Sequence, residues 1–330
     1  MPDMEMIDAQ YLGRRFGRTE ALREVSIRVA EGEIYGFLGP NGAGKTTTIN
    51  MLCTLLRPTS GRASVNGFDV ARQRSDVRRS IGLVFQQSTL DDSLSALQNL
   101  RFHALAYGVS ADIRERRIRD LLVLVELWER RSGSVRSFSG GMRRRLEIAR
   151  GLLHRPRVLF LDEPTLGLDP QTRRRIWEYL IELRARERLT IFLTTHYMDE
   201  AEQCDRIAII DHGGIVALDT PNGLKGAMGG DLITITTPDS HSAANEVRQR
   251  YGVTPVVADG TVRFPVPAGE EFLPDFVRSF SLPLEAISVR RPTLDDVFLR
   301  LTGRAIRDGN DGSGLGVGGA EGDKRGAEVR

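Results

Sequence analysis

One stretch limits the possible folds of this chain more than any other: Gly39-Pro40-Asn41-Gly42-Ala43-Gly44-Lys45-Thr46-Thr47, set between an apolar run at 34–38 and the start of a helical pattern. Strand, glycine-rich turn and helix N-terminus in that order are the context a phosphate-gripping loop requires. The glycines let the backbone curl until successive N–H groups and the open helix end face an anion. Lys45 then places a cation on the outer phosphate oxygens, and Thr46 supplies a hydroxyl suited to Mg²⁺. Only Lys45, Lys225 and Lys324 are lysines among 46 basic residues, so a lysine at this point stands out against a background of arginine.

A loop of this kind needs a sheet behind it. Short β-branched and apolar runs at 34–38, 158–161, 190–194 and 207–210 predict buried strands. Ile176, Leu180 and Leu183 repeat at helical spacing behind Asp169 and Pro170, an N-cap followed by a proline in the first turn. Strand, helix, strand order predicts a largely parallel sheet in an α/β fold. Over 94–153 the strands give way to helical patterns that include Ile118, Leu121, Leu122, Val125 and Trp128, a helical insertion. After Pro221, Gly226, Gly229 and Gly230 the rhythm changes to strand, helix, strand, strand, helix, strand, the order of a small ferredoxin-like module. The expected division is a nucleotide-binding unit over 1–225 with a helical subdomain at about 88–153, a small α+β unit over 226–303, and a glycine-rich tail over 304–330. The tail holds too little apolar material to offset the entropy of ordering and is expected to be disordered.

Composition excludes several classes. Basic and acidic residues number 46 and 44, so no whole-molecule field draws the chain onto nucleic acid or an acidic membrane. Cys53 and Cys204 lie far apart in apolar surroundings, which argues for packing roles in a reducing compartment and against zinc or a disulfide framework. No apolar run approaches the roughly 20 residues needed to cross a bilayer, and the N-terminus lacks the basic and apolar regions of a signal peptide. A cytoplasmic location is therefore expected.

The apolar strand at 158–161 runs into Asp162 and Glu163. In P-loop ATPases this is where magnesium and water are managed, with Asp162 holding Mg²⁺ and Glu163 facing the attacking water as general base. Phe138-Ser139-Gly140-Gly141-Met142 stands one helix upstream, and Ser139 with the following amides opens that helix as a second anion site. This pentapeptide resembles the signature loop of ABC ATPases. Gln86 after a strand at 81–85, Leu168-Asp169 past the acidic pair, and His196 closing a strand follow in the order of that family. The resemblance covers about 5–303 and implies a P-loop NTPase (RecA-like) core with a helical ABC subdomain.

It also implies roles. Gln86 would contact metal and attacking water, Asp169 would bridge two subunits, and His196 would touch the γ-phosphate. Ser139, Gly140 and Gly141 would close over the ATP held by a second copy's loop. For adenine stacking the resemblance points to Phe16, with Tyr11 as the competing ring and core packing as the plain reading of either. No Asn-Lys-x-Asp guanine motif occurs, which favours ATP. The remaining histidines, His103, His154, His212 and His241, show no metal-ligand spacing and read as structural or solvated.

The signature departs from the common form at Phe138 and Met142, and Arg143, Arg144 and Arg145 follow it. That variant resembles ABC-2 exporters, and the arginines read as a solvated helix face. The segment from Arg291 through Gly303 resembles the ending of drug-exporting ATPases of the daunorubicin-resistance type. The implied protein is a peripheral ATPase, with ATP and Mg²⁺ as cofactors, a second copy of itself and a separate integral membrane permease as partners, and drug or antibiotic export as the task. The same motor could export polysaccharide or lipid. A soluble ABC ATPase of repair or translation would carry fused cassettes or a long coiled coil, and neither occurs here; a regulatory module without turnover would not need Glu163 and His196.

Overall fold

The computed structural model describes residues 5–258 and 260–303; the tail expected to be disordered lies outside them. A six-stranded sheet forms the centre, ordered Gly214–Asp219, Arg206–Asp211, Ile34–Leu38, Thr190–Thr195, Val158–Asp162 and Ile81–Val84. Every neighbouring pair runs parallel except the first, where Gly214–Asp219 returns antiparallel along the edge. The runs Ile34–Leu38 and Val158–Asp162 are buried throughout, because helices or a second sheet cover both faces.

Register places the chemistry. Leu38 pairs with Thr195, Asp162 with Thr194 and Val84 with Leu161, so these four strands end at one level. The phosphate loop, the acidic pair, Gln86 and His196 all leave the sheet from that rim. Ligands in open parallel sheets collect at such C-terminal strand ends.

A second, antiparallel sheet was not foreseen from the sequence. It comprises Glu5–Phe16, Thr19–Ala30, Ser60–Val65 and Phe68–Asp69, in the order second, first, third, fourth. Its inner face, including Ile7, Leu12, Val25, Ile27 and Val29, shares a core with Phe37, Phe160 and Phe192 of the central sheet. Register shifts between Ala9 and Leu12 and again between Leu12 and Arg14 break the period of two, which hides the first strand from a pattern search.

On the other face lie the helices Ala96–Ala106, Ala111–Leu124 and Gly140–Gly151, which pack Leu100, Ile118, Leu122 and Leu146 against Leu159, Leu161 and Leu193. Ser95 starts the first with a capping box closed by Gln98.

The C-terminal segment runs Asp231–Thr236, Ser240–Tyr251, Val256–Ala258, Thr261–Val266, Gly269–Ser279 and Ala286–Arg290. Its four strands form an antiparallel sheet in which the first lies between the third and the fourth. Ile233, Ile235, Val247, Val262, Phe264 and Phe276 give it a core of its own. The last helix, Leu294–Thr302, does not join that core. It buries Leu294, Val297 and Phe298 in the central cluster, with Leu224 and Met228 of the segment that leaves the large unit.

Candidate functional site

The glycine-rich turn takes up the backbone its sequence permits. Gly42 has φ of 80° and Gly44 of 110°, a region that disfavours other L residues. A side chain on Gly39 would place Cβ 2.4 Å from the carbonyl oxygen of Ile210, so the loop lies directly on the neighbouring strand. The helix Lys45–Leu52 begins at once, and Thr46 remains exposed at its first turn.

Lys45 folds back into the loop. Its ammonium donates to the carbonyl oxygens of Gly39 at 2.7 Å and Pro40 at 3.2 Å, and lies 3.1 Å from Glu163 Oε1. Gln86 Nε2 donates to Glu163 Oε2 at 2.9 Å, and His196 Nδ1 stands 3.4 Å from Oε1 without an aligned hydrogen-bond partner among the described residues. Lys45, Glu163 and His196 are all less than a tenth exposed. Three residues from separate strand ends thus converge on one carboxylate. Burial pushes the Glu163 carboxyl up, but the contact with His196 and the Lys45 charge outweigh it and hold the group below the usual carboxylate range.

Asp162 is buried beside it. Its Oδ1 accepts from Thr194 Oγ1 at 2.5 Å, and that hydroxyl accepts in turn from the Glu163 amide at 3.0 Å. Thr194 was not singled out from the sequence; a threonine within an apolar strand offers no signal until the register of Asp162 against Thr194 is known.

The other candidate residues divide into near and far. Phe16 is exposed at the tip of the N-terminal hairpin, with the Arg14 guanidinium 4.5 Å from its ring centre. Leu22 of the same hairpin touches the Gly44 backbone region. Tyr11, also exposed, sits on the irregular part of the strand against Gly61. Ser139 caps the helix Gly140–Gly151, accepting from the Met142 amide at 3.3 Å. Gly141 lies so close to Thr172 that a Cβ would meet its methyl at 2.4 Å. Asp169 caps the helix Pro170–Glu187 through Thr172 N at 2.9 Å, and Ser139, Gly140 and Asp169 are exposed. Among the described residues no hydrogen bond or ion pair joins Ser139–Gly141 to the phosphate loop.

The arginine run corrects the reading from sequence. Arg144 is 6% exposed, and the side chains of Arg143 and Arg145 are only 29% and 19% exposed, so the run is not a solvated face. The helix turns Arg144 inward to carbonyls at the sheet rim, where a long side chain with five donors is wanted.

Residues 22–166 match the ABC transporter family. The chain is 40% identical over 310 residues to the daunorubicin resistance ATP-binding protein DrrA2 of Streptomyces coeruleorubidus, covering 90% of this chain and 95% of that relative. It is 38% identical over 304 residues to the Nod factor export ATP-binding protein I of Burkholderia orbicola (strain AU 1054), covering 92% and 98%. Among solved structures, a dimeric ATP-binding cassette in a post-hydrolysis state with ADP and Pi superposes with a TM-score of 0.60 at 28% identity, over 65% of this chain and 98% of that one. With identity of this level held across nine-tenths of its length, and with a fold shared with solved cassettes, the chain belongs to the ABC transporter family.

Proposed function

We propose that this chain is the ATP-hydrolysing subunit of an ABC exporter, that Glu163 is its general base, and that the convergence of Lys45, Gln86 and His196 on Glu163 is the observation that carries the reading. In the state described, the Lys45 ammonium is partnered by loop carbonyls and by Glu163. A triphosphate gripped by the amides of 39–47 offers that ammonium phosphate oxygens instead. Glu163 stays buried at the end of the same sheet rim, where its carboxylate faces the water that attacks the γ-phosphate, the position a general base needs. Gln86 orients the attacking water against Glu163, and His196, buried beside Glu163 at the end of its strand, takes up the γ-phosphate.

The cradle suits a nucleotide with magnesium. Gly42 and Gly44 hold the open backbone an anion needs, and Thr46, Asp162 and Gln86 would hold Mg²⁺, which keeps most of its shell from water and phosphate and asks few protein ligands. When bound it screens the phosphate charge. Phe16, exposed on the hairpin that touches the loop, is the adenine platform.

Exposed Ser139, Gly140 and Asp169 with no link to their own chain's loop support a head-to-tail dimer, each signature helix N-terminus closing over the partner copy's ATP. A solved cassette of the same fold is dimeric with ADP and Pi. Leu55 and Tyr107, apolar yet exposed, line the cleft between the helical segment and the strand that leads to Gln86, Phe102 and Leu105 are exposed on the helix Ala96–Ala106 that ends at it, and a separate membrane permease docks there. No helix among the described residues is long and apolar enough to cross a membrane, which fits a peripheral place on the cytoplasmic face.

Drug efflux is the favoured task, since the name of the first relative is one of daunorubicin resistance and the resemblance extends to the C-terminal helix. A Nod factor exporter of similar identity keeps polysaccharide or lipid cargo as the second reading. Glu163→Gln is the decisive experiment: the variant binds ATP, nearly stops phosphate release and accumulates as a dimer. Unchanged phosphate release rejects the assignment.

A further inference from the structure

Arg144 is buried at the rim of the central sheet, against the Glu163 carbonyl. Its guanidinium has five N–H groups, and five acceptors meet them: Nε donates to Pro164 O at 2.5 Å, Nη1 to Phe85 O and to Glu147 Oε2 at 3.0 Å, and Nη2 to Asp162 O at 3.0 Å and Glu163 O at 3.1 Å. Two of these carbonyls belong to Glu163 and to the residue before Gln86. The same helical face continues the grip: Glu147 Oε1 accepts from Thr89 N at 3.0 Å, and Arg150 Nη1 donates to Thr89 O at 2.8 Å. Positions 144, 147 and 150 are three apart and so line one side of the helix.

Glu163 needs such support. Its φ of 45° lies in the left-handed region, which a residue with a side chain adopts only where its surroundings impose it. From one side the Glu163 amide is held by Thr194, and from the other its carbonyl is held by Arg144. We propose that Arg144 is a positioning residue: by binding the carbonyls of Phe85 and Glu163 at once, it sets Gln86 and the Glu163 carboxylate in register and ties both to the helix that begins at Ser139. A shift of that helix, whether caused by a second copy or by the permease, then reaches the reacting carboxylate through rigid hydrogen bonds. The proposal rests on Glu163 being the base.

The test uses the full-length chain, measuring steady-state ATP turnover and affinity for a fluorescent ATP analogue in wild type, Arg144→Lys, Gln86→Ala and the double variant. Lysine keeps the charge beside Glu147 but has three donors, so at least two of the five acceptors lose their partner. Arg144→Lys is expected to lower turnover by ~10- to 100-fold, the scale of a small misplacement at a reacting centre, with affinity changed by less than about threefold. The double variant should fall no further than the worse single. Turnover within about twofold of wild type, affinity lost in step with turnover, or a double-variant fall equal to the product of the singles overturns the proposal. Should Arg144→Lys fail to fold, Glu147→Gln keeps the side-chain shape and an acceptor for Thr89 N while removing the charge opposite Arg144, and the same split between turnover and affinity is required of it. Glu163→Gln separates the two layers: if that variant still turns over, the site assignment fails; if it is dead while the cycle is multiplicative, only the role of Arg144 fails.

Discussion

Lys45 and Glu163 form a buried ion pair at 3.1 Å, an arrangement that the low dielectric of the rim makes costly to break on one side only. Lys45→Ala leaves Glu163 with Gln86 and His196 and, on the function proposed above, removes a charge-assisted partner of the outer phosphates. ATP affinity in a fluorescent titration should fall roughly tenfold or more, since each bond to a charged group contributes about 1.5–3 kcal/mol. Glu163→Gln should instead leave affinity near wild type, so the two substitutions separate grip from chemistry. His103 carries a pH effect remote from that chemistry. Burial, with the Arg150 and His154 charges adding to it, pushes this imidazole from 6.5 down to about 4, next to Tyr107 and His154. A base held neutral in the fold takes its proton first in the unfolded chain, so its contribution to stability is fully present above about 6.5 and is lost as pH falls towards about 4. Thermal unfolding followed across that interval should be less acid-sensitive in His103→Gln than in wild type; identical slopes would remove His103 from the account.

At the scale of elements, the helix Gly140–Gly151 does two jobs, one at its N-terminus and one along its middle. Its N-terminus is capped by Ser139 and exposed, while its middle buries Arg144 and Glu147 against the rim. Ser139→Ala removes the cap from Met142 N and should cost about 1 kcal/mol in a denaturant titration. A second readout distinguishes a cap from a contact across the dimer: in the Glu163→Gln background, adding Ser139→Ala should reduce ATP-dependent dimer on a sizing column, and an undiminished dimer would confine Ser139 to capping. The helix Leu294–Thr302 follows a different logic. It starts from Thr293 in a capping box with Asp296, which Arg290 also grips at 2.7 Å, and it lies across the large unit rather than on the small sheet just before it.

For the whole molecule, that last helix makes the two units depend on one another. Phe298 is buried with Leu294 and Val297 in the central cluster, so Phe298→Ala should destabilise the core around the six-stranded sheet by about 3–5 kcal/mol. Melting followed with and without ATP should show the loss in the ligand-sensitive transition; a loss confined to an ATP-insensitive transition would assign the helix to the small unit instead. The sequence by itself was enough for the parallel sheet, the phosphate loop, the order of the candidate residues and the βαββαβ rhythm. These are local in the chain: glycines where φ must be positive, apolar runs of strand length, and polar residues at strand ends. Tertiary structure alone decided the rest. The irregular N-terminal strand closes the core through register shifts that erase its alternation, and the C-terminal helix buries its apolar stripe far from its neighbours in sequence. An arginine that spacing alone would leave in water lies among five backbone and side-chain acceptors. Burial and hydrogen-bond partnership are properties of pairs distant in sequence, and only strand register, Asp162 beside Thr194 and Val84 beside Leu161, brings such pairs together.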